Sequence, residues 1–299
     1  MSTPTYIPLD GRRVRVRIDG DPDRPPVLLL HGIGRSLEDW APQFHRLART
    51  HRVIALDVPG FGFSDRPRER ITLPVLARGV AETLAALGEE RRVHVIGNSL
   101  GGAVAMQLLA LEPARVASLV LVNSAGFGSQ VAMALRLLAV PGIGYLATRH
   151  TTRLAAEMNE RLIFADKSLV TKERIDHAIA IAEQPDPADV MYETARALAT
   201  GRGVRREWRT ELIAAVAKYP RPTLAVWGDL DRVLPAHHLV TARQLLPHAE
   251  THLFTGIGHM PQIECPDEFA QLVLTFLAGA ATAGSRTTRV GLGRADAPS

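Results

Sequence analysis

The chain reads as an α/β protein, a mostly parallel, doubly wound sheet interrupted by a helical lid. Three observations predict this. Short, mostly apolar runs recur at 27–30, 53–56, 93–96, 116–122 and 223–227, as expected of strands covered on both faces. Helix-length segments separate most of them, as parallel crossovers require. Between about 129 and 218 the strand signal fades and helical segments remain.

Taken in order, residues 12–18 (RRVRVRI) alternate charged and apolar, which predicts a half-exposed strand near a sheet edge. A turn rich in Asp and Pro leads into the buried run 27–30, which ends in His31-Gly32-Ile33-Gly34. Ser36-Leu37-Glu38-Asp39 has the form of a capping box opening a helix to about Arg49. The strand at 53–56 precedes a loop, Asp57 to Asp65, and a helix follows at 73–87. The β-branched run 93–96 and the small apolar helix 100–111 flank a glycine-rich turn, and 116–122 is the next strand.

The helical block breaks at Pro141-Gly142, Asp166, Pro185-Asp186-Pro187 and Gly201-Arg202-Gly203. The α/β core is therefore expected at 1–126 and 219–280, with the lid at 127–218. After the block come a strand at 223–227, a helix at 237–246, a strand at 249–254 and a helix at 266–277. The last helix has Pro near its start and acidic residues in its first turn, both favourable there. The tail 281–299, rich in Gly, Ala, Thr and Arg, is expected to be disordered.

Composition excludes several classes. With 46% hydrophobic and 22% charged residues, the 299-residue chain is an ordinary globular one. The net charge of +4 comes from scattered arginines without a basic stripe or interleaved aromatics, which argues against nucleic-acid binding. A single cysteine, Cys265, allows no internal disulfide and fits a reducing compartment. The N-terminal stretch has no apolar signal-peptide region, and no apolar run reaches the ~18 residues of a membrane span. A cytoplasmic protein without a transmembrane segment is expected.

The chemistry centres on Gly97-Asn98-Ser99-Leu100-Gly101, a G-x-S-x-G sequence between a predicted strand and a predicted helix. There the chain turns sharply and presents the serine hydroxyl. A serine is a weak nucleophile without a base to take its proton and a third group to orient that base. Histidine suits the base, because its pKa lies near working pH. Of the 11 histidines, His259 follows the last strand in a glycine-containing loop, at the sheet edge that carries active sites in open α/β folds. His237 and His238 fall inside a predicted helix, and His94 inside a strand, where it reads as a packed residue. The acid belongs between Ser99 and His259, and Trp227-Gly228-Asp229-Leu230-Asp231 offers two aspartates. Asp231 lies on the loop past the tight turn, while Asp229 suits turn support. The run 116–122 ends in Asn123-Ser124 and supplies no carboxylate. Oxyanion donors are expected from the backbone N–H of Leu100 and of Ile33, with His31 bracing the second loop. No metal-ligand spacing occurs, and the Gly-rich turn carries serine where a phosphate loop carries lysine, so neither metal nor organic cofactor is expected.

The ordered motifs HGIG (31–34), DVPGFGFSD (57–65), GNSLGG (97–102), WGDLDRVLP (227–235) and GHMPQIECPDEF (258–269) resemble the α/β-hydrolase fold family over residues 12–126 and 220–277. The resemblance implies that the insertion is the family's lid. It also selects Asp231, since the family's acid is the fourth residue after the Trp of the WG motif. A serine at the elbow sets the chain apart from haloalkane dehalogenases and epoxide hydrolases, which carry aspartate there.

Two branches then compete. Carboxylesterases and lipases are the default expectation, with the apolar stretch Val131 to Ala147 suggesting a small-molecule ester with an apolar acyl or ring group. The meta-cleavage-product hydrolases, which cleave carbon–carbon bonds of vinylogous diketones, are the alternative. GNSLGG is similar to their GNSMGG, and Asn123–Gly128 and Arg161–Asp166 are similar too. Against them, Ile33-Gly34-Arg35-Ser36 replaces their G-P-G loop, and Met260 replaces the Trp after their histidine. A ligand-binding receptor on the same fold is the third reading.

Overall fold

The computed structural model describes residues 2–149 and 151–290. Its strands, in chain order, are β1 (Thr5–Leu9), β2 (Arg12–Asp19), β3 (Pro26–Leu30), β4 (Arg52–Leu56), β5 (Val93–Asn98), β6 (Val116–Val122), β7 (Ala199–Thr200), β8 (Gly203–Val204), β9 (Thr223–Gly228) and β10 (Glu250–Phe254). Eight of them form one sheet in the order β1-β2-β4-β3-β5-β6-β9-β10. The β4-β3-β5-β6-β9-β10 part is parallel throughout, while β1 and β2 run antiparallel at one edge.

The helices are α1 (Ala41–Leu47), α2 (Leu73–Ala86), α3 (Leu100–Leu111), α4 (Met133–Leu138), α5 (Ile143–Arg149), α6 (Arg153–Ile163), α7 (Lys172–Ala182), α8 (Pro187–Leu198), α9 (Arg206–Ala217), α10 (His237–Leu245), α11 (Pro261–Glu264) and α12 (Pro266–Val290). The sheet is doubly wound, and the strand sequences explain why. Side chains alternate between its two faces. Leu28, Leu30, Leu119, Leu121 and Trp227 enter a core shared with α2, α3 and α9. Val27, Leu29, Val120, Val122 and Val226 enter a second core with α1 and α12, around Trp40, Phe44, Phe269 and Phe276. A strand buried on both sides needs residues that are apolar or, like His94 and Ser118, paired with each other, hence the nearly continuous apolar runs. Each Leu or Val so buried contributes roughly 1.5–3 kcal/mol over an exposed one.

The topology fixes where a site can lie. The chain leaves β3 for β4 on one side and returns to β5 on the other, so the strand order reverses between β3 and β5. Crevices at the C-terminal ends of strands open at such a switch point. The β3 end carries His31-Gly32-Ile33, and the β5 end carries Ser99.

Several local expectations need correction. β1 was not foreseen, because TYIPL has neither alternation nor length; it pairs only with β2, and Pro8 is tolerated on such an edge. Ser36 forms no capping box: its side chain makes no cap bond, and a 3-10 turn at Leu37–Trp40 precedes the shorter helix α1. Instead the Ser36 hydroxyl donates to Glu38 Oε2 at 2.6 Å.

The insertion is helical, α4 to α8, with breaks at the foreseen Pro141-Gly142, Asp166 and Pro185–Pro187 positions. It also holds a small antiparallel hairpin, β7–β8, at the Gly201-Arg202-Gly203 break. Helix α9 lies on the sheet side, burying Leu212 and Val216 in the core with α3, so the part standing clear of the sheet ends before residue 218. Helix α12 continues to Val290 rather than ending near 277, in keeping with the high helix propensity of its alanines. The expected disordered tail is thus helical over 281–290, and 291–299 lie outside the described residues.

Candidate active site

Ser99 sits on the turn between β5 and α3 with φ 55° and ψ −115°, a conformation rare outside glycine. Such a backbone persists only where the surroundings over-determine it. Here the Ser99 N–H donates to the Val122 carbonyl at 2.9 Å, and its own carbonyl accepts from Ala125 N at 3.0 Å and Gly102 N at 3.1 Å. The elbow is therefore stitched to the end of β6. Two glycines make the turn sterically feasible. A Cβ on Gly97 would lie closer than 3.0 Å to Gly101 backbone atoms, and one on Gly101 equally close to the Leu30 and His31 carbonyls.

The loop after β9 supplies Asp231, and the loop after β10 supplies His259. His259 Nδ1 lies 2.8 Å from Asp231 Oδ2, with both side chains buried. Asp231 is fixed through its other oxygen, which accepts Val233 N at 2.7 Å and Leu234 N at 2.9 Å. With Nδ1–H donating to the carboxylate, Nε2 is left as the ring's proton acceptor. The structure thus brings the predicted acid and base into direct contact. Asp229 has the different role its position suggested: its Oδ1 accepts Gly256 N at 2.7 Å and Ile257 N at 3.3 Å, holding the adjacent turn.

Among the described residues the Ser99 hydroxyl makes no hydrogen bond, and nucleophile–base contacts are often long without substrate. The two loops are nonetheless tied. Asn98, next to Ser99, donates through Nδ2 to the His259 carbonyl at 3.1 Å. The β3 loop closes on the same point: a Cβ on Gly32 would lie 3.3 Å from Ser99 Cβ. Ile33 follows, and among the described residues its N–H has no backbone partner. The Leu100 N–H is in the first turn of α3, where helix geometry leaves N–H groups unpaired. His31 braces this loop. Its Nε2 accepts Val58 N at 2.9 Å, so Nδ1 carries the proton and donates to the Gly32 carbonyl at 2.8 Å. Burial pushes the His31 pKa down, which keeps the ring neutral in that role.

The other histidines are apart from this arrangement. His94 is buried in β5 against Ser118 Oγ at 2.7 Å, and His238 is buried on α10 beside Trp227. Burial pushes each pKa down to about 4. His237 is exposed.

Two groups of functional neighbours escaped sequence reasoning. Asn123, at φ 44°, donates Nδ2 to Asp231 Oδ2 at 2.7 Å. An asparagine just past a strand end, where its side chain tolerates positive φ, is a signal that could have marked it. Cap residues form the second group. The Ile163 carbonyl accepts the His259 N–H at 2.7 Å, Glu160 pairs with Arg35 beside the Ile33 loop, and Met191 of α8 lies over Gly34. Only the fold brings these together.

Among the described residues no group of three or more His, Cys, Asp or Glu could hold a metal ion. Among them, too, no helix is long and apolar enough to cross a membrane.

Known proteins share this arrangement of elements. The chain is 33% identical over 275 residues to the dihydrolipoyllysine-residue acetyltransferase component of an acetoin cleaving system from Pseudomonas putida, covering 92% of this chain and 69% of that one. It is 31% identical over 294 residues to the 2-hydroxymuconate semialdehyde hydrolase of Pseudomonas sp. (strain CF600), covering 94% of this chain and 98% of that one. Its fold is similar to the meta-cleavage product hydrolase CumD of Pseudomonas fluorescens IP01, with TM-score 0.76, 25% identity, and 92% and 98% of the two chains covered. The profile described as alpha/beta hydrolase fold matches residues 25–266. With that match across the elbow, the acid loop and the histidine loop, the chain belongs to the alpha/beta hydrolase fold family.

Proposed function

We propose that the chain is a serine hydrolase that cleaves carboxylic esters of apolar, uncharged substrates through an acyl-enzyme on Ser99. The observation that carries this reading is the 2.8 Å His259–Asp231 contact, which leaves Nε2 free as a base, together with the positive-φ elbow at Ser99. Ser99 Oγ attacks the ester carbonyl while His259 Nε2 takes its proton. The oxyanion is held by the Ile33 and Leu100 N–H groups. Collapse breaks the C–O bond, and the imidazolium passes its proton to the departing alkoxide. Water then repeats the attack on the acyl-enzyme, releasing the acid and restoring Ser99. Asp231 keeps the imidazole in the required tautomer and stabilises its charged form.

The surroundings favour a neutral substrate. Arg35, the cation beside the Ile33 loop, is already paired with both Asp39 and Glu160, so it is not free to anchor a substrate carboxylate. Above the loop stands Met191, and Val190 of the same helix packs over Gly60 in the neighbouring loop; both are apolar.

A second reading, carbon–carbon bond hydrolysis, is favoured by the 31% identity to the 2-hydroxymuconate semialdehyde hydrolase across 98% of its length. Turnover of p-nitrophenyl esters of graded chain length, measured beside a vinylogous diketone acid, separates the two. The ester reading expects the highest kcat/KM on an ester. Preference for the diketone acid over every ester would move the assignment to C–C hydrolysis. Tight binding without turnover of either would make the protein a receptor.

A further inference from the structure

We infer that Glu264 is a positioning residue for His259, acting jointly with residues 163–166 of the cap; the inference rests on the serine-hydrolase reading above. Three successive N–H groups around the base are held at this seam. Gly258 N and Met260 N donate to Glu264 Oε1 at 2.9 and 3.4 Å, and between them His259 N donates to the Ile163 carbonyl at 2.7 Å. The other carboxylate oxygen faces the cap, where Glu264 Oε2 accepts Ala165 N at 2.7 Å and Asp166 N at 3.3 Å. One carboxylate therefore joins the histidine loop to the cap segment that itself holds the histidine.

Local structure makes this reach possible. Pro261 starts α11 immediately after Met260, and Glu264 closes that single turn, so its side chain folds back over the loop it follows. The seam is tight as well: a Cβ on Gly258 would lie 2.7 Å from both Ala165 N and the Ile163 carbonyl oxygen. On its other side the His259 carbonyl accepts from Asn98, so the backbone of the base spans from the cap to the nucleophile elbow. A carboxylate can accept at both oxygens, whereas an amide accepts at one and presents N–H at the other. Glu264→Gln keeps the shape of the side chain but leaves one side of the seam without an acceptor. The imidazole is then set loose relative to Asp231 and Ser99, and small misplacement of a base is costly in rate.

The test is labelling of Ser99 by a fluorophosphonate in wild type, Glu264→Gln, Glu264→Asp and the remote cap-surface variant Asp176→Ala. The dependence on probe concentration separates binding (Ki) from bond formation (kinact), and the end-point gives the fraction of competent sites. Glu264→Gln is expected to lower kinact per competent site on the order of tenfold to a hundredfold, with Ki changed little. Glu264→Asp, which keeps two acceptor oxygens, is expected to recover part of that loss and carries the test should the Gln variant fail to fold. Asp176→Ala is expected to match wild type. If the Glu264 variants lose only competent fraction or melting temperature, with kinact per site unchanged, the role is merely structural and the inference is overturned. If wild type itself is not labelled at Ser99, the serine-hydrolase reading falls and the inference with it.

Discussion

Asn123 Nδ2 stands 2.7 Å from Asp231 Oδ2, the same oxygen that receives the His259 Nδ1–H at 2.8 Å. The donation strengthens the hold on a carboxylate that must stay anionic beside the imidazole. Hydrogen bonds to charged groups contribute about 1.5–3 kcal/mol. Val233 N and Leu234 N still hold the other oxygen, so Asn123→Leu is expected at the low end, with a loss of about tenfold in kcat and little change in KM. Steady-state kinetics on the best ester checks this.

The two aspartates of the loop after β9 should behave differently. Asp231→Asn removes the charge that orients His259 and should cost on the order of 10³–10⁴ in kcat. Asp229→Asn keeps an Oδ1 acceptor for Gly256 N and Ile257 N, so it should stay within about threefold of wild type, because surface turns of this kind contribute little when their hydrogen bonds persist. A comparable loss in both would remove the assignment of Asp231 as the acid.

Gly101→Ala places a methyl group closer than 3.0 Å to the Leu30 and His31 carbonyl oxygens. The Leu30 oxygen ends the central strand β3 and the His31 oxygen opens the loop after it, so neither can withdraw without disturbing that strand end. Overpacking of this type costs about 1–3 kcal/mol, at times more. Urea denaturation should show a lower midpoint, and activity per folded molecule should fall too, since the same contact sets the Ile33 loop against the elbow.

The buried histidines predict a pH limit on stability. The folded-state pKa values of His94 and His238 lie at about 4, pushed down by burial. In the unfolded chain a histidine titrates near 6.5. Between these values the unfolded state binds more protons, so stability is present in full above about pH 6.5 and is lost as pH falls toward 4. Each such residue adds a slope of about 1.4 kcal/mol per pH unit in that window. His94→Gln, which can still meet the Ser118 hydroxyl, should flatten the melting-temperature profile between about pH 4 and 6.5. An unchanged profile would contradict a neutral buried His94.

The sheet was legible because its strands are buried on both faces, which forces apolar residues at consecutive positions in β3, β5 and β6. The elbow was legible because close backbone approach at Gly97 and Gly101 admits no side chain, and this leaves a fixed spacing around Ser99. β1 was not legible, since an edge strand paired on one side needs no apolar run. Nor was the extension of α12 to Val290, where small residues satisfy a helix and a flexible tail equally well by composition. At the site, Ser99, Asp231 and His259 could be read from local sequence past strand ends, while Asn123, also past a strand end, carries no charge or motif to mark it as Asp231's partner. Glu264, Ile163 and Glu160 could not, because their partners lie 99, 96 and 125 residues away, and only folding brings the cap onto the loops.

The central claim is nucleophilic catalysis by Ser99, and the most direct measurement is ester turnover by Ser99→Ala together with mass spectrometry of the fluorophosphonate-treated wild type. Residues acting as a unit lose nearly everything when one is removed. The account predicts a fall on the order of 10⁴–10⁶ in kcat and a single adduct on the peptide containing Ser99. Full esterase activity in Ser99→Ala, or an adduct elsewhere with none on Ser99, would contradict it.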